Sequence, residues 1–169
     1  MPVGEQAAAA LCGPEIDVRH RPGLLVVDDD FFHQQLLQRA ARRAGFEVAV
    51  ASCCAEAVRQ VQAAAFDCVI LDLNLEDGDG IDICREMVAA NYSGALIIIS
   101  GTEGPRRSAA RAYARSIGIR AQGLPKPVDL ASLRVYLANL GKELQGLPAI
   151  HVWGGTATDG IVGGYRPGS

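Results

Sequence analysis

Three unbroken apolar runs constrain this chain more than any other feature: Leu24-Leu25-Val26-Val27, Val69-Ile70-Leu71 and Ala95-Leu96-Ile97-Ile98-Ile99. A strand with one face in water alternates apolar and polar residues. A continuous run needs cover on both faces, as a central strand has in a parallel sheet layered by helices. Each run also stops on polar residues: Asp28-Asp29-Asp30, Asp72, and Ser100-Gly101-Thr102. Phe46 to Ala51 and the shorter, weaker Ala121 to Leu124 add two further candidate strands.

Helical patterns separate the runs. From about Phe31 to Ala44, residues Phe32, Leu36, Leu37, Ala40, Ala41 and Ala44 recur at helical spacing, and Gly45 is placed to stop the helix. Ser52 reads as the cap of a second helix reaching about Ala65, with Ala57, Val58 and Val61 inward. Asn74 to Gly80 reads as a surface loop, and Gly80 opens a third helix with Ile81, Cys84, Met87 and Val88 on one face. A fourth helix is expected from Glu103 to about Ile117. A fifth starts near Asp129, with Leu130, Leu133, Leu137 and Leu140 at three- and four-residue spacing. This alternation predicts an α/β fold: a flavodoxin-like, doubly wound five-stranded parallel sheet with helices on both faces. The expected domain covers residues 22–142. Residues 1–21 read as a loosely ordered N-terminal extension, and the glycine-rich 143–169 as a disordered tail in which Trp153 and Tyr165 offer anchors.

Bulk properties exclude some classes of function. The formal net charge of −3 argues against nucleic acid as a partner. No stretch approaches the roughly 20 apolar residues of a membrane span, and Ala7 to Cys12 is too short for a signal-peptide core. The 5 cysteines form no C-x-x-C pair, which argues against a disulfide framework or zinc site and for a cytoplasmic protein. Cys68 and Cys84 sit in apolar patterns as small core residues, and Cys53 and Cys54 read as packing and surface residues.

Parallel strands end on the same side, so the polar residues that stop the runs gather along one sheet edge. Strand one delivers Asp28 and Asp29, strand three Asp72, strand four Ser100 and strand five Lys126. Carboxylates brought that close repel one another unless a cation joins them, and hard oxygen donors point to Mg2+, with Mn2+ able to replace it. A metal ion, an ammonium and a hydroxyl around one carboxylate form a pocket for a phosphoryl group. Asp72 would then attack phosphorus in line and become an acyl phosphate. Each residue alone has a plainer reading: a helix cap, an acidic turn, a surface lysine. The joint placement at separate strand ends favours the chemical one.

From about Gly23 to Leu140 the chain resembles a response-regulator receiver domain of two-component signalling. The matching stretches are Leu25-Val26-Val27-Asp28-Asp29-Asp30, Asp67-Cys68-Val69-Ile70-Leu71-Asp72-Leu73-Asn74-Leu75, Asp79-Gly80, Ile99-Ser100-Gly101 and Lys126-Pro127. The resemblance implies a stand-alone receiver that is a phosphoacceptor rather than an enzyme. It makes Asp72 the phosphoacceptor, Asp28, Asp29, Asp72 and the Asn74 backbone carbonyl the Mg2+ ligands, Ser100 the switch hydroxyl and Lys126 the family's lysine. It implies a sensor histidine kinase or histidine phosphotransfer protein as phosphoryl donor in a His–Asp phosphorelay. The output would pass to a downstream protein target, and a homodimer contact is a further expectation. The helix opening at Phe31 is the family's docking surface for the donor, which suits Phe31 and Phe32.

Three departures stand out. Gly123 replaces the aromatic residue three positions before the lysine, Glu76 replaces a proline in the loop after the phosphoacceptor, and Pro125 precedes the lysine. Two other functions compete. Asp28-x-Asp30 resembles the nucleophile motif of haloacid-dehalogenase-type phosphatases, although Phe32 stands where that motif has Thr or Val. Gly123 favours a phosphorylation-independent receiver-fold scaffold. Arg106, Arg107, Arg111, Arg115 and Arg120 read as a solvated basic face. His33 lies near the acidic cluster but at the start of an exposed helix, which argues against a metal or catalytic role.

Overall fold

Five strands alternate with five helices in a computed structural model that describes residues 21–101 and 105–147. In chain order the elements are β1 (Gly23–Val27), α1 (Phe31–Arg43), β2 (Glu47–Ala51), α2 (Cys54–Ala63) and β3 (Cys68–Asp72). A two-stranded ribbon of β4 (Asn74–Leu75) and β5 (Gly78–Asp79) follows, then α3 (Gly80–Ala89), β6 (Ala95–Ser100), α4 (Pro105–Ser116), β7 (Arg120–Pro125) and α5 (Leu130–Leu144). The main sheet has the order β2-β1-β3-β6-β7 with every pair parallel, the expected doubly wound, flavodoxin-like arrangement. The expected N-terminal extension up to residue 20, and the tail from 148 onward with Trp153 and Tyr165, lie outside the described residues. Helix α5 ends at Leu144.

Side chains two apart on a strand share a face, so each apolar run feeds two cores at once. Leu24, Val26, Cys68, Ile70, Ile97 and Ile99 pack against Leu37 of α1 and Leu133, Leu137 and Leu140 of α5. Leu25, Val27, Val69, Leu71, Leu96 and Ile98 pack against Ala57 and Val61 of α2, Ile83, Cys84 and Met87 of α3, and Ala110 and Ala114 of α4. Burying each of the larger side chains favours folding by about 1.5–3 kcal/mol, which explains why the three central strands carry unbroken apolar runs. The outer strands β2 and β7 are only partly covered, and their sequence signal is weaker accordingly.

The helix ends follow local chemistry. Asp30, Asp79 and Asp129 cap α1, α3 and α5 through the amides of His33, Ile81 and Ala131. Gly45 and Gly118 leave α1 and α4 with φ of 95° and 83°, a conformation that costs glycine little.

Four local expectations differ from the structure. Cys53, not Ser52, is the N-cap residue of α2, and its own side chain makes no cap hydrogen bond. Instead Asp77 reaches across from the β4–β5 turn, and both its oxygens lie 2.9 Å from the Cys54 amide. Ser52 is occupied by Gln34, whose Nε2 donates to its hydroxyl at 3.1 Å. Val58 is half-buried rather than inward. In α3 the buried face is Gly80, Ile83, Cys84 and Met87 while Val88 is exposed, because Gly80 packs against the sheet and turns the helix to that stripe. Asn74 to Asp79, expected as an open loop, closes into the β4–β5 ribbon.

Candidate functional site

The carboxyl edge of the sheet gathers the residues that stop the apolar runs. Asp28 follows β1 and is fully buried. Asp72 ends β3 with 2% exposure, and Ser100 ends β6 with 1%. Lys126 follows β7, and its amide donates to the Ser100 carbonyl at 3.2 Å, which holds the β6 and β7 exits together. The Lys126 ammonium then donates to Asp72 Oδ2 at 2.5 Å and lies 3.6 Å from Asp28 Oδ2. Asp72 Oδ1 accepts the Asn74 amide at 3.0 Å, so the turn leaving β3 folds back onto the carboxylate that ends it.

Asp28, Asp29 and Asp72 each offer a carboxylate oxygen, and these atoms lie within 4.8 Å of one another. Three hard, anionic donors at that spacing suit a small divalent cation such as Mg2+ or Mn2+. Burial works against the charged form of Asp28. Hydrogen bonds from the His33 ring and the Asp30 amide, with the charges of His33 and Lys126, more than offset it and hold the carboxyl below its usual range. Burial likewise disfavours the charged form of Lys126, but contact with Asp72 and Asp28 keeps its ammonium above the ordinary lysine value. The edge is therefore built to keep charges in place rather than neutralise them.

The structure brings Asp28, Asp29, Asp72, Ser100 and Lys126 to one edge, with Asn74 beside Asp72. It also brings in two groups that the sequence pattern does not single out. His33, expected near the cluster on an exposed helix, is more closely engaged than that: its ring is 17% exposed, and Nδ1 contacts Asp28 Oδ2. A signal for this exists in the sequence. His33 is the third residue of α1, and a side chain there points back toward the cap turn, as in a capping box. The other group is the Glu76 amide, which donates to Asp29 Oδ2 at 3.0 Å. A proline at this position, usual in the resembled family, has no N–H to give, so this departure adds a tie between the loop and the acidic cluster.

Other candidates separate from the site. The carboxylate of Asp30 accepts the His33 amide at 2.9 Å as the α1 cap. Phe31 and Phe32 are 64% and 80% exposed and stack edge to face beside the site. Of the expected basic face, the side chains of Arg106 and Arg107 lie outside the described residues, and Arg111 is half-buried. Arg120 pairs with Glu143 of α5 at 2.7 Å. Gly123 lies in β7 opposite Ile98. No disulfide links Cys53, Cys54, Cys68 and Cys84, and burial together with Asp77 pushes the Cys54 thiol up to about 11. None of the helices among the described residues is long and apolar enough to cross a membrane.

Comparison with known proteins agrees with this geometry. ZraR, a transcriptional regulatory protein of Escherichia coli, is 36% identical over 77 residues, or 46% of this chain and 18% of that protein. ActR, an acid tolerance regulatory protein of Sinorhizobium medicae, is 30% identical over 100 residues, 59% of this chain and 48% of its own. The chain thus spans less than half the length of either relative. The receiver domain of a Francisella response regulator superposes with a TM-score of 0.61 at 23% identity, over 73% of this chain and 98% of that one. At 23% identity that likeness speaks for the fold alone. Residues 24–138 match the family model of the response regulator receiver domain. With that match over most of its length, and with a doubly wound sheet whose strand ends carry the acidic cluster, the chain belongs to the response-regulator receiver domain family of two-component signalling.

Proposed function

We propose that this receiver domain accepts a phosphoryl group on Asp72 from a histidine kinase or histidine phosphotransfer protein, as one step of a His–Asp phosphorelay. The observation that carries the reading is the Lys126 ammonium on Asp72 Oδ2 at 2.5 Å, in a site where Asp28 and Asp29 bring two more carboxylates alongside. An oxygen of Asp72 attacks phosphorus in line. The P–N bond of the donor phosphohistidine breaks, the imidazole nitrogen leaves with the electron pair, and an aspartyl phosphate remains. Lys126 would bridge the nucleophile and the transferred group, and Ser100 would donate its hydroxyl to a phosphoryl oxygen. Mg2+, or Mn2+ in its place, would be held by Asp28, Asp29, Asp72 and the Asn74 carbonyl. When bound, the metal supplies positive charge beside the phosphoryl oxygens.

The same residues assist hydrolysis of the acyl phosphate, so the domain resets itself without being an enzyme acting on other substrates. Its output passes through protein–protein contacts of the receiver. The exposed Phe31 and Phe32 beside the site suit an apolar docking surface for the phosphoryl donor.

Incubation with Mg2+ and acetyl phosphate, or with beryllofluoride, tests the reading. Labelling of the wild type that disappears in Asp72→Asn supports it. Phosphomonoester turnover that survives Asp72→Asn but is lost in Asp28→Asn would favour a hydrolase. A wild type that takes neither reagent would leave a scaffold, the reading for which Gly123 speaks.

A further inference from the structure

We propose that His33 is a positioning residue of the acidic site, its Nδ1–H holding Asp28 Oδ2 so that Asp28 keeps its spare acceptor capacity on Oδ1 for the metal. This inference rests on the reading of Asp28 as a metal ligand. An ionised carboxylate can only accept, so the contact between His33 Nδ1 and Asp28 Oδ2 requires a proton on Nδ1. Both the Nδ1–H tautomer and the imidazolium provide one, and the role needs no change of charge.

The acceptor count on Asp28 then follows. Each carboxylate oxygen has two lone pairs. Oδ2 receives the His33 ring and faces the Lys126 ammonium at 3.6 Å, while among the described residues Oδ1 receives only the Asp30 amide at 2.9 Å. Oδ1 is therefore the oxygen with room for a further partner. Its carboxylate cannot rotate freely, because Asp28 is fully buried and its main-chain carbonyl is also engaged by the Gln34 side chain.

The ring itself is well anchored. Asp30 accepts the His33 amide at 2.9 Å, which fixes the first turn of α1 from which the ring projects. Consecutive residues of that turn, His33 and Gln34, thus hold the side chain and the main chain of Asp28. His33 is not one of the converging donors, which are Asp28, Asp29 and Asp72. It acts through Asp28, as hydrogen-bonded partners behind metal ligands do elsewhere, where their loss costs about 10–100-fold in metal affinity.

Two measurements on the full chain test the assignment. In calorimetric titration with MgCl2, His33→Leu is expected to bind at least about tenfold more weakly than wild type. His33→Asn places an amide N–H where Nδ1 stands and should recover most of the loss. His33→Gln, whose donor falls at the Nε2 position, should not. Thermal melts verify that each variant is folded. In the wild type, 15N NMR of the imidazole should show a protonated Nδ1 whose resonance moves as Mg2+ is added. Wild-type affinity in His33→Leu, failure of His33→Asn to recover, or a bare Nδ1 would each overturn the role of His33 while leaving the metal site intact. A wild type that binds no Mg2+ would overturn the metal site itself, and the inference with it.

Discussion

Adding one methyl group at Gly80 should disturb Asp72 through its own backbone. Gly80 opens α3 behind the Asp79 cap and is buried against the end of β3. A Cβ there would stand 2.9 Å from the Asp72 carbonyl oxygen, 3.0 Å from Leu73 Cα and 3.1 Å from Leu73 Cδ2. The two nearest atoms are main chain, so no side-chain rotation relieves the overlap. Alanine is worth up to about 1 kcal/mol over glycine in a helix, but overpacking of this kind costs about 1–3 kcal/mol. The expected net loss is about 1–2 kcal/mol, which for a domain of this size lowers Tm by roughly 3–10 °C. The atoms displaced carry Asp72 itself, so phosphorylation by acetyl phosphate should slow by about tenfold or more, since small misplacements of reacting groups are costly. Gly141→Ala is the control. There a Cβ lies 3.7 Å from Ala44 O and Phe46 Cε2, an ordinary contact in the interior of α5, and the change should stabilise by about 0.5–1 kcal/mol. Thermal melts and phosphorylation time courses on both variants decide the matter. A Gly80→Ala protein that melts no lower than wild type and labels at the same rate would refute the reasoning, as would two variants that shift in the same direction.

Lys126→Met leaves the carboxylates of Asp28 and Asp72 buried without their shared ammonium. Because the lysine is itself 29% exposed, the cost in chemical denaturation should be about 1–3 kcal/mol, below that of a fully buried pair. Lys126 titrates above its ordinary value in the folded state, so this contribution is complete at neutral pH. It should disappear only as pH rises through and beyond the normal lysine range, a trend that denaturation at several pH values would check. Phe32→Ser should change stability by less than about 0.5 kcal/mol, the side chain being 80% exposed, yet weaken binding of a phosphotransfer partner in a pull-down or titration. The Cys54 thiol, pushed up to about 11, should resist alkylation at pH 8, and Asp77→Asn should speed the reaction by removing a neighbouring negative charge, as mass spectrometry of the labelled peptide would show.

The sequence alone determined the central strands, their parallel direction and the edge where chemistry gathers. Strands covered on both faces must be apolar throughout, and parallel strands must release their polar ends on one side. That is why Asp28, Asp29, Asp72, Ser100 and Lys126 are legible as one set from the hydrophobic pattern. Glycine and aspartate punctuation, as at Gly45 and Asp129, is legible for the same reason: the physics is local. Tertiary structure alone decided what touches that set. His33 stands at a third helical position, whose side chain turns back toward the cap, but only packing decides that its ring meets Asp28. Asp77 looks like a loop acid, and Glu76 like a missing proline, because the β4–β5 ribbon that carries them to α2 and Asp29 is two residues per strand and leaves no period to detect. Asp72, the acidic residues beside it and Lys126 come from strand ends, whose positions the hydrophobic pattern dictates. The groups that hold those carboxylates come from turns and first helical residues, whose directions are set only when the chain has packed.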